Sequence, residues 1–220
     1  MAHLATPKPK AKSFRDEIAA ALEREIVSGL HTPGSRLVER DLTIRFGVSS
    51  IPVREALQDL EGRGLVSRRV NCGYSVIDLS LEELHSICQL RRILEPEVVR
   101  WTALRLSDEG ASLLREQHDR FASAAASNNL PDFFHEDLQF HRLIWELSGN
   151  RYAARALQAA VGSLFACGMN QARERGVIRF ETEIRKHDKL LRQILRRDGE
   201  AAAATLLAIA DHFQNSLPRP

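Results

Sequence analysis

The sequence predicts a mainly α-helical chain in two parts, a winged helix-turn-helix domain over residues 13–78 and an antiparallel six-helix bundle over 79–220. Three observations carry that prediction. Two short amphipathic segments meet at Gly47-Val48-Ser49, two runs of β-formers follow between Val66 and Ile77, and apolar residues recur at helical spacing from Leu81 nearly to the end. Composition agrees: of 220 residues 44% are hydrophobic and 27% charged, with only 12 Gly and 8 Pro. The net charge of +2 is too small to mark a nucleic-acid binder by itself, although its positive excess falls in the first part. No apolar run reaches the length of a membrane span and the start lacks a signal-peptide core. The chain is therefore expected to be soluble and cytoplasmic, with no membrane partner. Cys72, Cys88 and Cys167 lie far apart and are expected as free thiols.

In chain order, residues 1–12 read as a basic, disordered tail in which Pro7 and Pro9 alternate with Lys8, Lys10 and Lys12. A helix from Phe14 to Ser28 follows, with Ile18, Leu22 and Ile26 on one face and Gly29 closing it. The stretch from His31 to Leu37 carries a Pro-Gly turn. Leu42 and Phe46 then share one helical face, and Val53, Leu57 and Leu60 share another. Gly47 suits the left-handed position past a helix end, Ser49 suits the N-cap of the next helix, and Pro52 is tolerated in its first turn. A second helix so placed can enter a DNA major groove, offering Ser50, Ile51, Arg54 and Gln58. Asn71-Cys72-Gly73 separates the β runs and predicts a hairpin, a wing whose Arg68, Arg69 and open Gly73 backbone can reach phosphates or the minor groove. Ser80 with Glu83 forms a capping box, and six helices are predicted at about 81–106, 108–127, 131–148, 150–174, 178–197 and 199–216.

The predicted bundle core is interrupted by polar residues. Arg91 and Glu95 fall four apart inside the apolar stripe of the first bundle helix. They read either as a buried pair or as an arginine facing an internal cavity and awaiting an anion. Asp137 and His141, also four apart, interrupt the stripe of the third bundle helix in a spacing that can chelate a metal. His187 sits centrally on the stripe of the fifth, and His212 at the edge of the last. An Asp and two or three His converging inside a bundle point to a polar ligand pocket or a divalent metal, with zinc, nickel, manganese or iron favoured over calcium. An Asp–His hydrogen bond in the core is the structural alternative.

These residues also carry a resemblance. The Pro33–Glu39 stretch (PG-RL-E), Gly47–Leu57 (GVS–PVREAL), Leu60–Val66, Asn71–Val76, Arg91–Pro96 (R–LEP), Asp137–His141 (D–FH) and Ser148–Asn150 (SGN) are similar to GntR-type transcriptional regulators. The matching subgroup is FadR/VanR-like and carries an all-helical FCD ligand-binding domain. Six bundle helices rather than seven resemble the VanR-like form. The resemblance implies a homodimer that binds a short palindromic double-stranded DNA operator and responds to a small carboxylate effector. It implies DNA contacts from Arg40 and Arg54, a phosphate contact from Ser49 and a minor-groove contact from Gly73; the residues themselves add Ser50, on the exposed face of the second helix, as a DNA contact and Arg91 as a contact to the effector's carboxylate. It also implies a divalent metal held by Asp137, His141 and His187. Two positions depart from the pattern: Ser50-Ile51 stands where the family commonly has Arg-Thr, and Ile209 stands where metal-binding members carry a further His, leaving His212 as a displaced candidate. A metal-dependent hydrolase or oxygenase, and a bundle that dimerises a DNA reader without sensing anything, are the competing classes.

Overall fold

The computed structural model describes residues 13–69, 73–175 and 179–217. The predicted basic tail and the Asn71-Cys72 portion of the wing turn lie outside these residues.

Helix α1 (Phe14–Val27) starts at Ser13, whose hydroxyl accepts from the Asp16 N–H, and buries Ile18, Leu22 and Ile26. Helix α2 (Glu39–Phe46) ends on Gly47, which adopts the left-handed φ of 65°. Helix α3 (Ser50–Gly62) begins immediately after the turn and buries Val53, Ala56, Leu57 and Leu60 against α1. The apolar spacing thus sets both the length of α3 and the face it buries. Its opposite face, with Ser50, Ile51, Arg54 and Gln58, is left exposed. Strands β2 (Val66–Arg69) and β3 (Gly73–Val76) form the wing hairpin in antiparallel register, Val66 opposite Val76. A further strand, β1 (Arg36–Leu37), pairs with β3 and gives the order β1-β3-β2. The sequence read this stretch as a turn connection, because two residues are too few to show a period of two.

The bundle follows the prediction to within about three residues at each end, inside the usual scatter of helix termini: α4 (Leu81–Arg105), α5 (Asp108–Ala126), α6 (Leu130–Leu147), α7 (Arg151–Arg175), α8 (Phe180–Leu195) and α9 (Gly199–Ser216). The Ser80–Glu83 capping box is formed in both directions. Helix α4 packs against α9, α7 and α6, while α5 packs against α6 and α8. The fully buried Phe121, Phe140, Ile144 and Trp145 occupy the middle. Within the described residues no helix is long and apolar enough to cross a membrane.

The head rests directly on the bundle. A Cβ at Gly64 would lie 1.9 Å from the Ala159 carbonyl oxygen of α7, and one at Gly162 would lie 2.6 Å from the Arg63 carbonyl oxygen. Only glycine permits so close an approach of two backbones.

Candidate functional site

Two surfaces carry the sequence-predicted residues, and the fold keeps them apart. On the head, Arg40, Ser49, Ser50 and Arg54 are exposed on α2, the turn and α3, with Gly73 exposed at the start of β3. Ser49 occupies the N-cap position, but its side chain makes no capping bond, which leaves the hydroxyl available to an outside acceptor. Arg54 is engaged within the head: its Nε donates to Glu39 at 2.7 Å, and that bond holds the guanidinium above its ordinary pKa. An outside acceptor that took Nε would have to displace this carboxylate. The wing adds Arg68, whose guanidinium lies 5.9 Å from the centre of the Tyr74 ring, and the exposed Arg69. Ile51 is 65% exposed and packs on no core.

In the bundle, Asp137 and His141 of α6 meet His187 of α8. Asp137 Oδ1 lies 3.1 Å from His187 Nε2 and 3.6 Å from His141 Nε2, and the two imidazole nitrogens are 3.3 Å apart. Three ligands about 2.0–2.1 Å from a tetrahedral metal stand about 3.3 Å from one another, so the donor atoms already have the spacing of a coordination triangle. Asp137 Oδ1 is buried, and its close polar neighbours are these two imidazole nitrogens. His187 Nδ1–H donates to the Glu183 carbonyl at 2.8 Å, which turns Nε2 toward the cluster as metal-bound imidazoles require. The residues present therefore fit a divalent cation.

The electrostatics separate the two imidazoles. Burial drives His141 down to about 4, so it is neutral and able to act as a ligand. Burial also works against a charged His187, but the Asp137 carboxylate outweighs it and raises this imidazole above its usual value. Asp137 is in turn held below the usual carboxylate range, because the charge of His187 overcomes its burial. Behind His141, Glu95 Oε1 stands 3.9 Å from Nδ1, and Arg91 grips that carboxylate through Nε at 3.1 Å and Nη2 at 3.4 Å. Arg91 and Glu95 are only 4% and 1% exposed, so the buried pair expected from their spacing is formed. The pair stands directly behind the histidine cluster.

His212 is corrected by the structure. Its side chain is 64% exposed and lies 3.7 Å from Glu183, outside the cluster, while Ile209 of α9 is buried. Positions three apart stand about 60° apart around a helix, and the packing of α9 turns Ile209 inward and leaves His212 on the outer edge of the stripe. The orienting role of the Glu183 carbonyl was not visible in the sequence, since it is a backbone group. A charge cluster between Glu23 and Arg142 was also missed, because each residue looks like an ordinary polar position on its own helix.

The comparisons with known proteins agree with this division. A model described as bacterial regulatory proteins, gntR family, matches residues 14–76, and the FCD domain model matches 86–213. The uncharacterized HTH-type transcriptional regulator YdhC of Bacillus subtilis is 28% identical, over 87% of this chain and 85% of its own. The HTH-type transcriptional repressor RspR of Escherichia coli is 28% identical, over 90% and 85%. Among solved structures, E. coli McbR/YncC superposes with a TM-score of 0.79 at 20% identity, covering 94% of this chain and 98% of that one. A GntR regulator from Rhodococcus sp. RHA1 gives 0.70 at 22% identity, covering 94% and 98%. At such identities the structural likeness speaks for the fold.

Proposed function

Since the chain belongs to the gntR family of bacterial regulators in its FCD-domain form, we propose that it is a dimeric repressor. It binds a palindromic operator and senses a small carboxylate through a divalent metal in the bundle. The observation that carries the sensing half is the convergence of Asp137, His141 and His187 at 3.1–3.6 Å inside a core that otherwise holds aromatic rings. Groups of this polarity are costly to bury unless something compensates them. Asp137, His141 and His187 would hold the ion, with the Glu95 carboxylate 3.9 Å from His141 Nδ1, beyond hydrogen-bond reach. A bound zinc, nickel or manganese supplies a Lewis-acidic centre for a carboxylate oxygen. Arg91, paired with Glu95 beside the cluster, would meet the effector's carboxylate only by sharing or leaving that partner.

The reading half rests on the exposed face of α3 and the wing. Arg40, Ser49, Ser50 and Gly73 make phosphate and groove-edge contacts, and Arg54 exchanges Glu39 for DNA. Ile51 presents a branched apolar side chain suited to a thymine methyl. Dimerisation is supported by the exposed Leu90, Ile93 and Leu104, which fall on one face of α4. The repressor assignment follows RspR, named as a repressor, and the gluconate operon repressor of Bacillus licheniformis, 24% identical over 91% of this chain.

The test uses protein purified without a His-tag. Elemental analysis is expected to find close to one metal per chain, and added zinc, nickel or manganese should raise the melting temperature of stripped protein. Operator fragments selected from a random library should be released by one member of a panel of small carboxylic acids. Metal-free protein that gains no stability from any of the three ions sinks the metal reading, and a panel without effect sinks the sensor.

A further inference from the structure

The boundary between head and bundle holds a charge cluster that neither half of the proposed function uses. Glu23, on α1, is only 2% exposed. It accepts from Arg63 of the head at 2.7 Å, and from Gln139 at 2.9 Å and Arg142, both on α6 of the bundle. Burial works against the Glu23 carboxylate, and the guanidiniums of Arg142 and Arg63 outweigh it, holding its carboxyl below the usual range. This is the place where side chains of both domains share one buried ion.

The placement on α6 matters more than the pair itself. Gln139 and Arg142 lie three apart and face α1, whereas Asp137 and His141 lie four apart and face His187 of α8. At 100° per residue the centres of these two pairs are well over a right angle apart around the helix. One helix thus holds two donors of the candidate metal cluster on one side and the head contact on the other. Arg142 is also under-satisfied: it is 6% exposed, and its Nε and Nη2 find no acceptor among the described residues. Unsatisfied donors on a buried cation are costly, so this contact is weaker than a fully paired one. The backbone contacts at Gly64 and Gly162 seat the head on α7, so Gln139 and Arg142 are what tie α6 to Glu23 of the head.

We propose that the Glu23–Arg142 contact is the joint through which the state of the Asp137–His141–His187 site reaches the DNA-reading head, with Glu23 and Arg142 as positioning residues. The proposal rests on reading that site as a sensor. Any change that the state of this site imposes on α6 would reach α1 through Gln139 and Arg142. A ligand shifts the head only if it binds the two arrangements with different affinity, and the joint is where the arrangements differ.

The test is amide hydrogen exchange on the full-length protein, with zinc ion alone as probe and elemental analysis for occupancy. In the wild type, zinc should slow exchange on α6 and α8, and also on α1 around Glu23, there by about fivefold or more, the low end of ordinary coupling between sites. In Glu23→Gln the same amount of zinc should bind while the distant effect on α1 disappears. Zinc bound with α1 unchanged in the wild type overturns the joint, and so does a full distant effect in Glu23→Gln. Should no zinc bind at all, the metal reading is what fails, and the joint is judged by mutation of the pocket instead. His141→Gln should then alter α1 exchange in the wild-type background and not in Glu23→Gln, and equal responses in both overturn it. If Glu23→Gln is too unstable to study, Glu23→Gln/Arg142→Met removes both charges together and carries the same comparison.

Discussion

Two side chains set the chemistry at the scale of single residues. Arg54 is charged, exposed and already bonded to Glu39. Replacing Arg54 by Ala should weaken binding across DNA sequences and lower the slope of log affinity against log salt by about one. Glu39→Gln should do the reverse and tighten non-specific binding, since it removes a competing carboxylate. Fluorescence anisotropy at several salt concentrations measures both, and an unchanged slope in the Arg54 variant removes it from the interface. His187 behaves differently. Its raised pKa means that the metal-free cluster keeps a proton which a divalent cation must displace. Zinc affinity is therefore lowest in acid and should rise about tenfold per pH unit until His187 is neutral by itself, after which it levels off. Competition titration between pH 5.5 and 8 reads this, and a flat profile would mean His187 is no ligand. Asp137, His141 and His187 could be chosen from the sequence because each interrupts an apolar stripe. His212 misled because a stripe edge is ambiguous by about one residue, and only packing decides which side chain turns inward.

At the scale of elements, backbone contacts explain why similar-looking glycines differ. Gly47 and Gly64 both have positive φ, 65° and 72°. A Cβ at Gly47 meets nothing within 4 Å, whereas one at Gly64 collides with the Ala159 carbonyl oxygen. Gly47→Ala should cost about 1 kcal/mol, the ordinary penalty of the left-handed region. Gly64→Ala should cost about 3 kcal/mol or more, because the head must lift from α7 to make room. Urea unfolding of the two variants checks the order, and equal losses would show that the seam is loose. Removing the Ser80 cap of α4 by Ala should cost about 1 kcal/mol in the same assay. The helices were legible to within a few residues because caps and apolar periods are local signals. Strand β1 was not, since its pairing partner Ser75-Tyr74 lies almost forty residues away.

At the scale of the whole molecule, the seam between head and bundle joins stability to pH. Glu23 is held below the usual carboxylate range, so its contribution is fully present above that range and is lost as pH falls through its folded value. The wild type should lose melting temperature between pH 5 and 3 more steeply than Glu23→Gln, as calorimetry would detect. A steeper loss in the variant would mean the sign is wrong. Association is tested through α4, where Ile93 is 69% exposed. Ile93→Glu should shift sedimentation from dimer toward monomer and weaken binding to a palindromic site far more than to a half-site. What the sequence by itself determined is the order and type of nearly every element, the face of α3 left exposed and the identity of the three candidate ligands. These follow from periodicity, caps and charges placed where only apolar residues are cheap, all of which act over one or two helical turns. Only the tertiary structure decided that the ligand atoms stand 3.1–3.6 Å apart, that His212 is excluded, and that Glu23 joins the two domains. Those facts depend on how distant helices rotate against one another, and no local pattern records the angle at which two separate segments of chain meet.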